Sequence, residues 1–165
     1  MKNSFTFYRN QLIMCIAAIP LGAATGALCT VFGVTLLQIS EIRSNYYLYL
    51  LPLLGVIGAF IVWCYNRFGK DSAKGMSLLF EMHQDKRSSI PLRLIPMTIG
   101  STWLTHLFGG SAGREGVATQ IGGTLGSFLG NKISVPEANK ILMISGMAAG
   151  FSGLFRTPLA AVFFA

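Results

Sequence analysis

Gly109-Gly110-Ser111-Ala112-Gly113-Arg114-Glu115-Gly116-Val117, followed by Ala118-Thr119-Gln120-Ile121-Gly122-Gly123, sets an arginine and a glutamate among glycines, deep in apolar sequence. Glu115 is the only acidic residue between Asp85 and Glu137. Glycine allows close backbone approach and unusual dihedrals. A charged side chain inside a membrane span costs about 2.5–3.5 kcal/mol on insertion scales, so its presence points to function. Two explanations fit the spacing. Glu115 acts on an ion, or Arg114 and Glu115 form a structural pair or lie in an exposed loop.

Composition makes the setting a membrane. Of 165 residues, 52% are hydrophobic and only 12% charged, against about 25% charged in soluble domains. Mean hydropathy is +0.57. The net charge of +7 could suggest nucleic acid. The basic residues, however, fall in the gaps between apolar runs and form no stripe, so no nucleic-acid partner is expected. Cys15, Cys29 and Cys64 all lie within apolar runs. They read as small hydrophobes, with neither a disulfide frame nor a metal site expected.

The first apolar run extends from about Gln11 to Ile39 and exceeds the hydrocarbon thickness, so a tilted, retained membrane helix is expected rather than a signal peptide. Gly22 and Gly26 offer a small-residue packing face. A polar loop is expected at Ser40–Asn45, then a second span from Tyr46 to Tyr65. Tyr46, Tyr47 and Tyr49 mark one membrane interface, and Trp63 and Tyr65 the other. Residues 67–93 hold Arg67, Lys70, Lys74, Lys86, Arg87 and Arg93, whereas the loop before the second span has only Arg43, offset by Glu41. The positive-inside rule therefore places residues 67–93 in the cytoplasm, and two spans place the N-terminus there as well.

Within that block, Ala73–Met82 has a short helical pattern with Asp71 and Ser72 as candidate caps. Its N-terminus could face inward toward an anion, with Met76 either lining a path or simply packing. A third run covers Ile90–Phe108. His106 at its end could relay protons, though a lone histidine is more often just hydrogen-bonded. A helix is expected from about Glu115 to Leu129, with Gly122, Gly123 and Gly126 on a smooth face. Another should start at Pro136 and run to Ala149. Phe155-Arg156-Thr157-Pro158 opens a last apolar helix, and the chain stops within it at Ala165, as a truncated chain would.

If the helix after Gly113 points its N-terminus at the membrane midplane, its free N–H groups and dipole attract an anion. Glu115, in its first turn, is an anion tethered at that spot. It can hold the site itself, or move aside on protonation and admit a free anion. Short and broken helices of this kind build midplane sites in transporters. A phosphate-binding enzyme loop is the competing idea for the glycines at 109, 110, 113 and 116. No strand precedes them and no Gly-Lys-Ser/Thr follows, so the match fails. No nucleophile–base pair appears either, so neither enzymatic activity nor a cofactor is expected. A membrane scaffold that has lost transport is the remaining alternative.

Gly113-Arg114-Glu115-Gly116-Val117, with Gln120-Ile121-Gly122 behind it, resembles the G-R-E-G-P signature of the CLC family of anion channels and proton-coupled transporters. Phe155-Arg156-Thr157-Pro158-Leu159-Ala160 resembles the F-x-x-P-L-A segment that opens a later helix of that family. The order of long and broken segments matches the first half of its fold over nearly the whole chain. The resemblance implies an all-α, polytopic membrane fold of inverted repeats, with residues 1–165 as the first repeat. It also implies a homodimer in lipid with one pathway per subunit, and a second repeat beyond Ala165 carrying further anion-site helix ends and a pathway tyrosine.

Two positions depart from the common pattern. Val117 replaces the usual proline, and Gly75-Met76 falls where chloride-selective members carry the serine of G-S-G-I-P. Both departures are similar to the fluoride/proton antiporter branch. Carried over on that basis, Glu115 gates the anion and transfers protons. Met76 replaces the anion-coordinating serine, and the backbone of Gly113, Arg114, Gly116 and Val117 contributes to the anion site. The implied function is export of fluoride in exchange for protons. The alternative is a chloride or nitrate/proton exchanger, or a voltage-gated-type chloride channel, of the same family.

Overall fold

A computed structural model describes residues 2–164, and those residues contain helices and turns but no strand. Helix α1 (Lys2–Leu50) carries Pro20 inside it and kinks at Tyr46, where φ −123° and ψ 18° leave the helical region. The expected loop at Ser40–Asn45 is therefore helical. Its hydroxyls bond back onto the helix: Ser40 Oγ donates to the Leu36 carbonyl and Ser44 Oγ to the Glu41 carbonyl. These bonds satisfy the polar side chains that suggested a loop. The second span is split, with a 3-10 turn at Leu51–Leu53, led by Pro52 near its start, before α2 (Leu54–Cys64). Tyr46, Tyr47, Tyr49 and Trp63 are all exposed, as interfacial aromatics would be.

Past α2, a π-helical turn (Tyr65–Gly69) and a 3-10 turn (Lys70–Lys74) lead to α3 (Ser77–His83). The short helix thus begins later than its apolar pattern suggested. Asp71 and Ser72 do not cap it; Met76 sits at the cap position with no side-chain cap bond. Gly75 enters that start at φ +53°, a left-handed conformation that favours glycine. Helix α4 (Leu94–Leu107) starts four residues into its apolar run, after Pro91. Helix α5 (Arg114–Gly130) begins within a residue of the expected place. Helix α6 (Ala138–Phe155) does not start at Pro136, because Glu137 adopts a left-handed conformation at φ +58°. Helix α7 (Pro158–Phe164) follows Arg156, which is also left-handed.

The centre of the fold is the antiparallel crossing of α5 and α6. On α5, Ala118, Gly122, Gly126 and Gly130 recur every fourth residue. On α6, Ala138, Leu142, Gly146 and Gly150 do the same in reverse order. A β-carbon on Gly122 would lie 2.5 Å from the Gly146 carbonyl carbon, and one on Gly126 2.5 Å from the Leu142 carbonyl carbon. One on Gly150 would lie 3.0 Å from the Ala118 carbonyl carbon. The two backbones touch because no side chain intervenes. In lipid, where apolar tails compete with apolar side chains, such close packing is a main source of helix association. Gly22 plays no such part; a β-carbon there would meet nothing within 4 Å.

Helix α1 lays one stripe across this pair. Leu21, Thr25, Cys29, Phe32 and Leu36 are buried at helical spacing, while Ile19, Val31, Val34 and Leu37 on the other side are exposed. Cys29, Phe32 and Leu36 pack with Val117, Ala118 and Ile121 of α5. Trp103 of α4 stacks on Phe32, with ring centroids 6.2 Å apart, and its indole N–H donates to the Phe32 carbonyl at 3.2 Å. One helical run among the described residues, Thr6–His83, is long and apolar enough to cross a membrane by length and composition.

Candidate functional site

Gly113 is extended (φ −68°, ψ 129°) and turns the chain into α5, so Arg114 opens the helix and Glu115 lies in its first turn. Helix geometry leaves the N–H groups of Gly113 to Gly116 without intrahelical acceptors. This end of α5 shares a cavity of about 480 Å³ with Thr30, Gly33, Val34 and Leu37 of α1. From Val34 to Tyr46 is roughly 18 Å of helix at 1.5 Å per residue. The start of α5 therefore packs against the apolar stretch of α1, about three turns of helix before the tyrosines. Gly113, Arg114 and Glu115 are exposed. Arg114 and Glu115 form no ion pair with each other, which removes the structural-pair explanation. Arg156, at the end of α6, lines the same cavity as Arg114.

Met76 is half-buried and opens onto a second cavity of about 290 Å³, with Phe80, His83, Thr119, Met143 and Met147 among its walls. Thr119 ties this cavity to the start of α5, since its hydroxyl donates to the carbonyls of Glu115 at 3.1 Å and Gly116 at 3.0 Å. Glu115 and Met76 are thus joined through one turn of α5, although Glu115 does not itself line the Met76 cavity. Val117 is 4% exposed and packs into the core against α1, so only its backbone faces the helix start. His106 is committed locally, with Nδ1 bonded to the Thr102 carbonyl at 2.9 Å, the ordinary helical arrangement. No group of His, Cys, Asp and Glu able to hold a metal occurs among the described residues.

Several residues of this neighbourhood gave no sequence signal by themselves. Met143 and Met147, one helical turn apart on α6, line the Met76 cavity, as does Thr119. Gln120, which the sequence motif did include, accepts a hydrogen bond from Thr98 Oγ1 at 3.1 Å, linking α5 to α4. The four-residue spacing of small residues on α5 and α6 was available in the sequence and accounts for why these walls meet.

The charged block forms a separate layer at the end of the fold where α6 begins. Lys74 bonds Glu81 at 2.9 Å, Arg87 reaches Asp71 and Glu81, and Lys140 bonds Asp85 at 2.5 Å. The Arg87 hydrogen bond, reinforced by its charge, holds the Asp71 carboxyl below its ordinary range. The Lys74 hydrogen bond does the same for Glu81. Phe7, Asn10 and Gln11 of α1 lie beside Val135 and Ile141, so the N-terminal end of α1 shares that end of the molecule.

A helix start bearing a lone glutamate, a glycine-mediated helix pair and a short methionine-led helix is a specific combination. Residues 57–165 match the model of the voltage gated chloride channel family. The chain belongs to this family. It is 37% identical over 113 residues to a chloride/fluoride channel protein of Pseudomonas syringae pv. tomato, covering 68% of this chain and 25% of that one. It is 30% identical over 173 residues to the H(+)/Cl(−) exchange transporter ClcA of Yersinia pestis, covering 94% and 36%. The crystal structure of a CLC-type fluoride/proton antiporter superposes with a TM-score of 0.89 at 44% identity, covering 93% of this chain and 39% of that chain. The chain thus spans about a quarter to two fifths of the length of these relatives. Its all-α CLC fold and multi-pass membrane character follow from the match.

Proposed function

We propose that residues 1–165 form the first of two inverted repeats of a proton-coupled anion transporter, and that the transported anion is fluoride. The observation that carries this is the start of α5 packed against the apolar stretch of α1, with Glu115 in its first turn. Four free N–H groups and the helix dipole favour a negative charge there. Ionised, Glu115 supplies that charge itself. Protonated, it gives it up, and a free anion takes its place. One group that alternates between proton and anion in this way couples their movements in opposite directions. The backbone from Gly113 through Val117 forms the outer wall of the site, and Met76 faces the inner stretch from the thioether-lined cavity.

Fluoride is favoured over chloride by Met76 and Val117, and by the names of the 37%- and 44%-identical relatives. Chloride/proton exchange is the second reading, favoured by the exchangers that align over 94% of this chain. The protein is proposed to work as a homodimer in the cell membrane, with the N-terminus and residues 67–93 in the cytoplasm. Transport belongs to the two repeats together, and residues 1–165 alone are expected to carry none.

The test uses the protein containing both repeats in liposomes, with fluoride and chloride efflux measured in the same vesicles under a proton gradient. Glu115→Gln is expected to abolish proton-coupled fluoride efflux. Unchanged coupled flux in that variant overturns the role of Glu115. Parent protein that moves chloride and not fluoride overturns the choice of ion.

A further inference from the structure

Gln120 stands where three elements of the pathway meet. Its carboxamide oxygen accepts a hydrogen bond from the buried Thr98 hydroxyl at 3.1 Å, which ties the amide to α4. That NH2 group has no protein acceptor among the described residues. Its nitrogen lies 3.9 Å from where a β-carbon would stand on Gly75, the residue before Met76. It lies equally 3.9 Å from the same point on Gly116, the residue after Glu115. Chain neighbours and the helix's own backbone aside, only the amide comes within 4 Å of either point, so Gln120 lies in contact range of both glycine positions.

We propose that Gln120, held by Thr98, donates its amide N–H groups to the transported anion as it passes between Gly75 and Gly116. Gln120 thereby acts as a specificity-determining residue of the pathway. The inference rests on the transport role proposed above and adds the donor that the helix backbone does not supply. The unpartnered amide nitrogen keeps some accessible surface, so a small anion that passes within reach can accept its N–H. Fluoride, the strongest hydrogen-bond acceptor among the halides, gains more from a neutral N–H donor than chloride does. Two bare glycines, one of them in a left-handed conformation, keep the approach free of side chains.

The protein containing both repeats is reconstituted in liposomes as parent, Gln120→Leu and Thr98→Val, and anion efflux is titrated against fluoride and, in parallel, chloride. Gln120→Leu is expected to raise KM for fluoride about tenfold, the scale of one hydrogen bond to a charged group. KM for chloride should rise less, and the ratio of protons to anions should stay unchanged. Thr98→Val frees the amide without removing it and is expected to shift KM the same way by about threefold, a fraction of one hydrogen bond. A purely structural glutamine would lower thermal stability and leave the fluoride-to-chloride KM ratio alone. KM values within twofold of parent in both variants overturn the proposal. So does an equal rise for both anions. If Gln120→Leu fails to fold, Thr98→Val decides by the same KM criteria. If the parent carries chloride and not fluoride, fluoride as substrate falls, and Gln120 is judged on whether its chloride KM rises or stays at the parent value. Loss of coupling in Glu115→Gln with a normal Gln120→Leu titration keeps the gate and removes the donor, so the two proposals fail separately.

Discussion

Replacing Gly122 by alanine tests the packing that holds α5 in place. The new β-carbon would lie 2.5 Å from the Gly146 carbonyl carbon and nearer still to its oxygen. Carbon atoms rest at roughly 3.5–4.0 Å, so α5 and α6 must part there by roughly 1–1.5 Å. Backbone cannot rotate out of the way as a long side chain can. A radial gap of about 0.5–1 Å already forfeits a quarter to a half of each contact it opens, and the gap runs along the crossing to Gly126 and Leu142. Overpacking typically costs about 1–3 kcal/mol, and this site should lie at the upper end. Gly100→Ala in α4 is the control. A β-carbon there meets nothing within 4 Å, and alanine gains about 1 kcal/mol of helix propensity over glycine. Both variants are purified in detergent and heated while Trp103 fluorescence and the monodisperse fraction on a sizing column are followed. Gly122→Ala should melt well below the parent, and Gly100→Ala at or above it. Equal midpoints for the two variants would refute the backbone-contact account of the crossing.

Three further outcomes follow from the same geometry. Met76→Ser exchanges a thioether for a hydroxyl at the cavity wall, and the fluoride-to-chloride efflux ratio should shift severalfold, the scale of about one hydrogen bond; an unchanged ratio would remove Met76 from ion selection. Gly146→Ala presses its β-carbon on Gly122 from the other helix, and its thermal loss should add little to that of Gly122→Ala in the double variant, because the two strain one contact. The ion pairs around Arg87 should loosen in acid. Asp71 and Glu81 have lowered folded-state pKa values, so their contribution is present above the ordinary carboxylate range near pH 4 and is lost as pH falls through the lowered values. Protection of backbone amides in residues 70–93, relative to their intrinsic exchange rates at each pH, should fall over that acid window in the parent, and should show a smaller acid step in Arg87→Gln.

Much of the fold was legible because a membrane imposes long apolar runs and a strong cost on charge. Glu115 stood out for that reason, and the helix after Gly113 followed from its glycines and its first-turn acid. Helix boundaries were harder wherever polar residues are satisfied locally. Ser40 and Ser44 bond to carbonyls of their own helix, and an isolated reading of their polarity gives a loop. Pro136 looked like a helix start, yet the left-handed Glu137 delays it, a conformation that nothing in the residue type requires. Asp71 looked like a cap and is instead held by Arg87, sixteen residues away in the chain. Such tertiary partners cannot be read from local pattern. Gln120 is the clearest case at the site, since its orientation depends on Thr98 in another helix.

The glycine crossing and the site are one construction. Small residues every fourth position on both helices permit a close approach, but they also permit sliding in steps of one turn, about 5.4 Å. The ends of the two stripes limit that freedom. Slid by one turn, Gly150 would pass to the very start of α5 or Ala138 beyond its end, and one of the four close contacts would be lost. Since Glu115 lies in the first turn of α5 and Met147 and Met143 lie on α6, this register sets the depth of the glutamate relative to the methionine-lined cavity. Gly150→Leu should therefore do more than strain one contact. Its side chain would press on the Ala118 carbonyl, displacing α6 against the end of α5 that carries Glu115, and the coupling between proton and anion movement should weaken more than the protein's stability does. A variant that loses stability while keeping the parental proton-to-anion ratio would show that the register is held elsewhere.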